Sequence, residues 1–274
     1  MASAGAGQLT RDEYLAAGSD FWRAMYTADD VYSVIHQYRR SLVLSWVDDL
    51  DLPAGATALE LGCGADLAAV ELAARGLRVE ATDVVAAMVE IARSDAAAAG
   101  VADAVRVTQA DAQVLDFPDS SFDLVLAMGV IPWLDAPAAT LHEVTRVLKP
   151  AGVLLVTCDN ADRLDHSLDP LWNRRLARLR HVAARLLPGA WHPAPAPRVR
   201  QHSLDAFDSL LATVGLRRLA GKTFGFGPFT VFGREALPQA QAVRLHRRLQ
   251  RRADRGSSLL ASRGAQYIVA ARKP

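Results

Sequence analysis

The chain reads as an α/β fold, a parallel sheet with helices on both faces, and two observations predict it. Short apolar runs alternate with amphipathic, helix-like runs between residues 57 and 158, an alternation that implies parallel strands joined by helical crossovers. One junction, TALELGCGADLAAVELAARG (57–76), passes from a strand through closely spaced glycines into a helix. Such a turn lets backbone N–H groups approach a ligand, and the helix N-terminus adds partial positive charge at the same place. The unit therefore predicts a nucleotide-type ligand at the carboxyl end of the sheet, with plain helix–strand packing as the other reading.

Residues 9–50 predict leader helices. VYSVIHQYRRSLVLSWVDDL places Val31, Val34, Ile35, Tyr38, Leu42, Val43, Trp46 and Val47 on one helical face, and Pro53 ends the run. Strands are expected near 57–61, 78–82, 104–109, 122–128 and 152–158, and helices near 67–76, 85–99 and 136–148. HSLDAFDSLLATVGL predicts a late helix capped by Ser203. GLRRLAGKTFGFGPFTVFG predicts a sixth strand with a glycine-rich turn, PQAQAVRLHRRLQRRADRG an Arg-rich helix, and GAQYIVAARKP a last strand.

The second strand ends at Asp83, about 20 residues past the glycines, where an acidic side chain binds ribose hydroxyls. A dinucleotide fingerprint would require glycine at position 67, and Leu67 there argues against NAD.

On these residues the chain resembles the class I S-adenosylmethionine (SAM)-dependent methyltransferases. ELGCGAD is similar to the family's first motif. Asp83 matches its acidic second-strand end, and Asp111 in QADAQVLDFPDSSFDLVLAMGVIPWL its adenine-side acid. LHEVTRVLKPAGVLLV resembles its helix, turn and fifth strand. The resemblance covers residues 57–158 and the tail, and is poor before residue 50 and over 161–200. It implies a Rossmann-like, seven-stranded, mostly parallel sheet with an antiparallel last strand, an N-terminal helical lid and helical insertions. The corresponding divisions are a lid (1–52), a SAM-binding core (53–160), a basic insertion (161–200), and a C-terminal part of the core (201–274) carrying an Arg-rich helix at about 238–255.

The resemblance also implies the cofactor, SAM, its product S-adenosylhomocysteine, and the residues that hold them; no metal is required. Glu60, Gly62, Cys63 and Gly64 would surround the methionine part. Asp83 would bind the ribose, Val84 and Met88 would lie against the adenine, and Asp111 with Ala112 would meet its amino group. Met128 and Gly129 would end the fourth strand beneath the sulfur. The chain departs from the family at Asp66, where a third glycine is usual; the side chain either meets the methionine end of SAM or caps the following helix.

Direct methyl transfer requires alignment and exclusion of water more than covalent catalysis. After the fourth strand, where many relatives carry histidine, stand Val130, Ile131, Pro132 and Trp133. Trp133 is a candidate for positioning a flat or cationic substrate, or a packing residue. His36 is the remaining candidate base by residue type, with a structural role as the other reading. His142 and His246 are expected on solvated faces. Tyr14, Phe21, Trp22, Tyr26, Tyr32 and Arg39 are lid or substrate-pocket candidates, or fastenings of the leader helices.

A net charge of +1 hides an asymmetry: residues 1–162 hold 10 Lys and Arg against 24 Asp and Glu, and residues 163–274 hold 21 against 6. That distribution disfavours a nucleic-acid reader with a basic stripe over its core. LWNRRLARLRHVAARLLPGAW and the later Arg-rich helix predict basic amphipathic surfaces, read as a lid with a solvated face or as docking sites for a carrier protein or an anionic membrane. A homodimer exchanging leader helices is a further arrangement compatible with the chain. Cys63 and Cys158 are too few for a disulfide framework and fit a reducing cytoplasm. The start MASAGAGQLTRDE lacks a signal-peptide pattern, and no apolar run reaches the roughly 18 residues that span a bilayer. The Arg- and Ala-rich composition suggests a GC-rich bacterial genome.

Together these features predict transfer of a methyl group from SAM to O, N or C of a small, largely apolar metabolite. The sequence leaves two alternatives: the same fold with SAM bound but catalysing a non-methylating reaction such as cyclisation, and a SAM-binding peripheral interaction protein.

Overall fold

The computed structural model describes residues 23–179, 182 and 200–274. Tyr14, Phe21, Trp22 and most of the expected basic helix after Leu179 lie outside the described residues. The leader helix α1 (Val31–Asp48) starts where Asp30 accepts hydrogen bonds from the N–H groups of Tyr32 and Ser33. The core follows as β1 (Thr57–Leu61), α2 (Ala68–Ala74), β2 (Arg78–Asp83), α3 (Ala86–Ala98), β3 (Val105–Gln109), β4 (Phe122–Ala127), α4 (Pro137–Val147) and β5 (Leu148–Asn160). Then come α5 (Leu164–Leu168), β6 (Gln201–His202), α6 (Leu204–Thr213), β7 (Arg217–Phe224), β8 (Thr230–Val231), β9 (Arg234–Glu235), α7 (Gln239–Asp254) and β10 (Gln266–Arg272).

The sheet order is β3-β2-β1-β4-β5-β10-β7, with the two-residue β6 added to the end of β5. β1 to β5 pair in parallel, and β10 runs antiparallel to both β5 and β7. This is the Rossmann-like sheet, with the antiparallel strand that comes last in the chain set between β5 and the edge strand β7. Alternation along each strand divides the core. Ala58, Leu124 and Leu126 face the layer of α1, α2 and α3. Leu59, Leu61 and Val125 face α4 and α6, where Leu141, Val144, Phe207 and Leu211 are fully buried. Each such aliphatic side chain contributes about 1.5–3 kcal/mol on burial. No helix among the described residues is long and apolar enough to cross a membrane.

Two excursions leave this frame. The first follows β5 and begins with α5; the second is the β8–β9 hairpin and α7, between β7 and β10. Asp169, fully buried, joins them, accepting from the N–H groups of Leu171 (2.8 Å), Phe232 (2.9 Å) and Gly233 (2.9 Å) and from the Thr230 hydroxyl. Helix α7 packs on α1 and turns Arg244, Arg247, Arg248, Arg251 and Arg252 outward. Its inner face corrects the expectation of a solvated His246: the ring is 2 % exposed, and Nδ1 accepts from the Phe226 N–H at 3.1 Å. Gln250 Oε1 accepts from the neighbouring Gly225 N–H at 2.9 Å. His142 is exposed, as expected.

Candidate active site

A cavity of about 320 Å³ opens along the carboxyl ends of the parallel strands and reaches from Asp111, after β3, to Gln266 at the start of β10. Those strands are five steps apart in the sheet, roughly 24 Å at the usual interstrand spacing. The volume suits a metabolite-sized ligand.

The β1–α2 turn forms one side. Gly62 has φ +66°, and a Cβ there would lie 2.6 Å from Val130 Cγ2, so both the turn and the close approach require glycine. After Gly62 and Gly64 (φ 47°), the next left-handed residue of the turn is not Asp66 but Leu67, with φ 65° and a half-exposed side chain. The sequence departure at Asp66 is thereby explained. Asp66 is 6 % exposed, and its Oδ1 accepts at 2.9 Å from the N–H of Ala68, the first residue of α2, with Leu67 at the cap position between them. Burial raises its carboxyl above the ordinary range, while Arg39 and Arg40 oppose that shift.

Asp83 ties the turn to β2. Its Oδ2 accepts from the Gly64 N–H (3.0 Å) and its Oδ1 from the Val85 N–H (2.9 Å), which fixes the carboxylate in the cavity wall. Val84 and Met88 stand beside it. Asp111 is oriented by the Gln113 N–H at 2.9 Å, with Ala112 next in the wall. Met128 and Gly129 form the floor after β4; Gly129 N–H donates to Thr157 Oγ1 at 2.8 Å.

Two of the expected residues do not line the cavity. Glu60 lies beneath the turn, 2 % exposed; burial, and then Asp66, push its carboxyl well above the usual range and favour the neutral acid. Cys63 is 3 % exposed and meets β2 through its N–H, 2.9 Å from the Thr82 carbonyl. Both shape the turn from behind.

Helix α1 roofs the cavity. Tyr32, Ile35, His36 and Arg39 line it, with Tyr26 from the preceding segment. Arg39 is 6 % exposed; its Nη2 donates to the Tyr26 hydroxyl at 2.6 Å, its Nε has no partner, and its Nη1 lies 2.8 Å from where a Gly129 Cβ would stand. Burial, with Arg39 opposing, raises the Tyr26 phenol to about 12. His36 Nδ1 donates to the Tyr32 carbonyl at 2.8 Å, which leaves Nε2 as the acceptor. Burial and then Arg39 lower its imidazole to about 3, which makes it a weak base. Trp133 lies in the wall on the short 3₁₀ turn Ile131–Trp133.

Sequence reasoning missed the residues beyond β4. Asp159, Arg163, Gly227 and Gln266 complete the wall. Asp159 did carry a signal, an acid at the carboxyl end of a parallel strand, where ligands gather in this architecture. Arg163 and Gln266 had none, because only the sheet order brings them there.

Residues 59–156 match the family model described as a methyltransferase domain. A sterol 4-C-methyltransferase of Caenorhabditis elegans is 24 % identical over 162 residues, covering 54 % of this chain and 48 % of the relative. A ubiquinone biosynthesis O-methyltransferase of Xanthomonas axonopodis is 27 % identical over 172 residues, covering 63 % of this chain and 70 % of the relative. The match thus spans about half the length of the first of these relatives. Among solved structures, magnesium protoporphyrin IX methyltransferase of Synechocystis, with bound S-adenosylhomocysteine, superposes with a TM-score of 0.65 at 18 % identity, over 97 % of this chain and 99 % of that one. The [4+2]-cyclase SpnF superposes with a TM-score of 0.56 at 22 % identity, over 85 % and 80 %. At these identities the superpositions establish the fold, and the family model establishes the domain. Residues 59–156 of this chain match a methyltransferase domain, and the chain shares the Rossmann-like fold of the class I, SAM-dependent methyltransferases it superposes on.

Proposed function

We propose that the protein transfers the methyl group of SAM to a nucleophilic atom of a small metabolite bound in the same cavity. The observation that carries this reading is the continuity of one cavity from the fixed carboxylates Asp83 and Asp111 to an open stretch of wall beyond Gly129. The residues present fit the cofactor. Gly62 leaves the space a side chain would fill, and the Asp83 carboxylate retains acceptor capacity for ribose hydroxyls beside its two backbone donors. Arg39, buried with Nε free, supplies positive charge near the turn for a carboxylate and offsets Asp66. When bound, SAM supplies an electrophilic methyl on its sulfonium. The chain's own part is to hold that group in line with the acceptor and to keep water out. Ile35, Val130, Pro132 and Leu134 supply apolar wall for an acceptor with an apolar body.

Calorimetric titration with SAM tests the reading. Wild type binds in the micromolar range, and Asp83→Ala loses about 100-fold or more, because charge-assisted hydrogen bonds contribute about 1.5–3 kcal/mol each. Absence of binding to wild type would overturn the proposal. Binding of SAM without release of S-adenosylhomocysteine, in the presence of acceptors that occupy the cavity, would favour a non-methylating reaction on the same fold.

A further inference from the structure

At the far side of the cavity two hydrogen-bond acceptors lack adequate donors from the protein. Asp159 near the end of β5 and Gln266 at the start of β10 stand opposite each other in the antiparallel register, and both line the cavity. Gln266 Nε2 lies 3.5 Å from Asp159 Oδ1, the outer limit of a hydrogen bond. Reversing the amide would set its oxygen against a carboxylate, so the orientation is fixed by chemistry. Gln266 Oε1 is then buried without a donor. Neither neighbouring guanidinium group donates a hydrogen bond to the pair among the described residues. Arg163 grips Asp165 with Nε and Nη2, both at 2.7 Å, and reaches the Gly227 carbonyl at 3.3 Å. Arg39 Nη2 donates to Tyr26. An unmet buried acceptor costs about 1–3 kcal/mol, so a pair facing a cavity points to a ligand that donates.

Charge selects among donors. Arg39 on α1 and Arg163 after β5 both act on Asp159, and Asp165, which acts on it in the opposite sense, is bound to Arg163. With Arg163 paired to Asp165, the Arg39 guanidinium balances the Asp159 carboxylate, and a neutral donor such as a hydroxyl suits the pair better than an ammonium ion. We propose that the acceptor substrate presents two adjacent hydroxyl groups, one to Asp159 and one to the Gln266 oxygen, and that Asp159 removes the proton of the first as its oxygen is methylated. The inference rests on the methyl-transfer reading above and names its acceptor class. In the step the O–H bond breaks and the proton passes to Asp159. The oxygen lone pair forms the new C–O bond to the methyl, and the C–S bond breaks with its electron pair left on sulfur as a neutral thioether. Burial, with Arg163 and Arg39 opposing, raises the Asp159 carboxyl above its ordinary range, which strengthens it as a base. His36, the candidate by residue type, is shifted the other way.

The test separates this inference from the reading beneath it. SAM is titrated into wild type, Asp159→Asn and Gln266→Leu; equal affinities show folded variants and an intact cofactor side, and no affinity in wild type removes the underlying reading instead. With S-adenosylhomocysteine bound, three flat probes suited to a wall with Trp133 and Tyr32 are then compared: 4-methylcatechol, 4-methylaniline and 4-ethyltoluene. The catechol is expected to bind wild type about 10-fold more tightly than the other two, an advantage lost in both variants. With SAM, turnover of the catechol falls about 100-fold or more in Asp159→Asn, and the acidic limb of the pH–rate profile disappears. Absent or hydroxyl-independent probe binding, tighter binding of the amine, or an acidic limb unchanged in Asp159→Asn would overturn the inference.

Discussion

The two sides of the cavity are built by different means. The side proposed for the cofactor is local: Gly64 and Asp83 are 19 residues apart and joined by a 3.0 Å hydrogen bond across adjacent parallel strands. The side proposed for the acceptor is assembled from afar. Asp159 faces Gln266 across 107 residues, and the segment before Gly227 is held by His246 and Gln250 from a helix that itself packs on α1. A turn and its neighbouring strand fix the first side; the placing of the last strands and both excursions fixes the second. Cofactor binding and acceptor binding are therefore separable by mutation.

The largest expected separation comes from Gly62→Ala. The new Cβ would stand 2.6 Å from Val130 Cγ2 at a positive φ, and SAM affinity is expected to fall about 30–100-fold by calorimetry. Acceptor-probe affinity should fall less, through the displaced Val130 wall alone; an equal loss at both sides would break the comparison.

His246 sharpens it from the other side. His246→Ala strands the buried Phe226 N–H and is expected to lower stability by about 1–3 kcal/mol in urea unfolding, leaving SAM affinity intact but raising the acceptor KM. The same residue carries a pH signature. Burial lowers its imidazole from 6.5 to about 4 in the folded protein. Between those values the unfolded chain binds the extra proton, so stability is full above pH 6.5 and falls as pH falls towards 4. His36 and His166, also lowered, act in the same direction. Urea midpoints should show a loss of about 1–3 kcal/mol between pH 7 and 4.5, with a shallower slope in His246→Gln, which keeps an acceptor but does not titrate.

The smallest effect is expected at the cofactor turn. Leu67 holds φ 65°, a conformation that costs a non-glycine residue about 1–2 kcal/mol. Leu67→Gly should raise stability by about 0.5–1 kcal/mol after the entropy of the freer unfolded chain, without reducing SAM affinity.

The same contrast explains what the sequence made legible. The strands and helices from β1 to α4 follow the apolar periodicities within one or two residues, because each buries its own face against a sequence neighbour. Asp83 and Asp111 were findable because strand, turn and helix place them at fixed offsets. Gln266 was not, since its position beside Asp159 depends on an antiparallel strand arriving from the far end of the chain. His246 misled for a related reason: on an Arg-rich helix, its inward face is set by contact with Phe226 rather than by composition. Leu67 shows the limit within a motif. A left-handed turn is usually read from its glycines, and here the backbone adopts it under a leucine.

Asp169 gives the two excursions a shared fate. The segment after β5 and the hairpin after β7 are separate insertions by chain order, yet one carboxylate satisfies donors from both. Transplanting either excursion alone into another sheet of this type would leave a buried anion without its donors, or donors without their anion. The pair is thus a single exchangeable cassette, and a chimera that reshapes acceptor choice by recombination has to move residues 161–200 and 225–265 together.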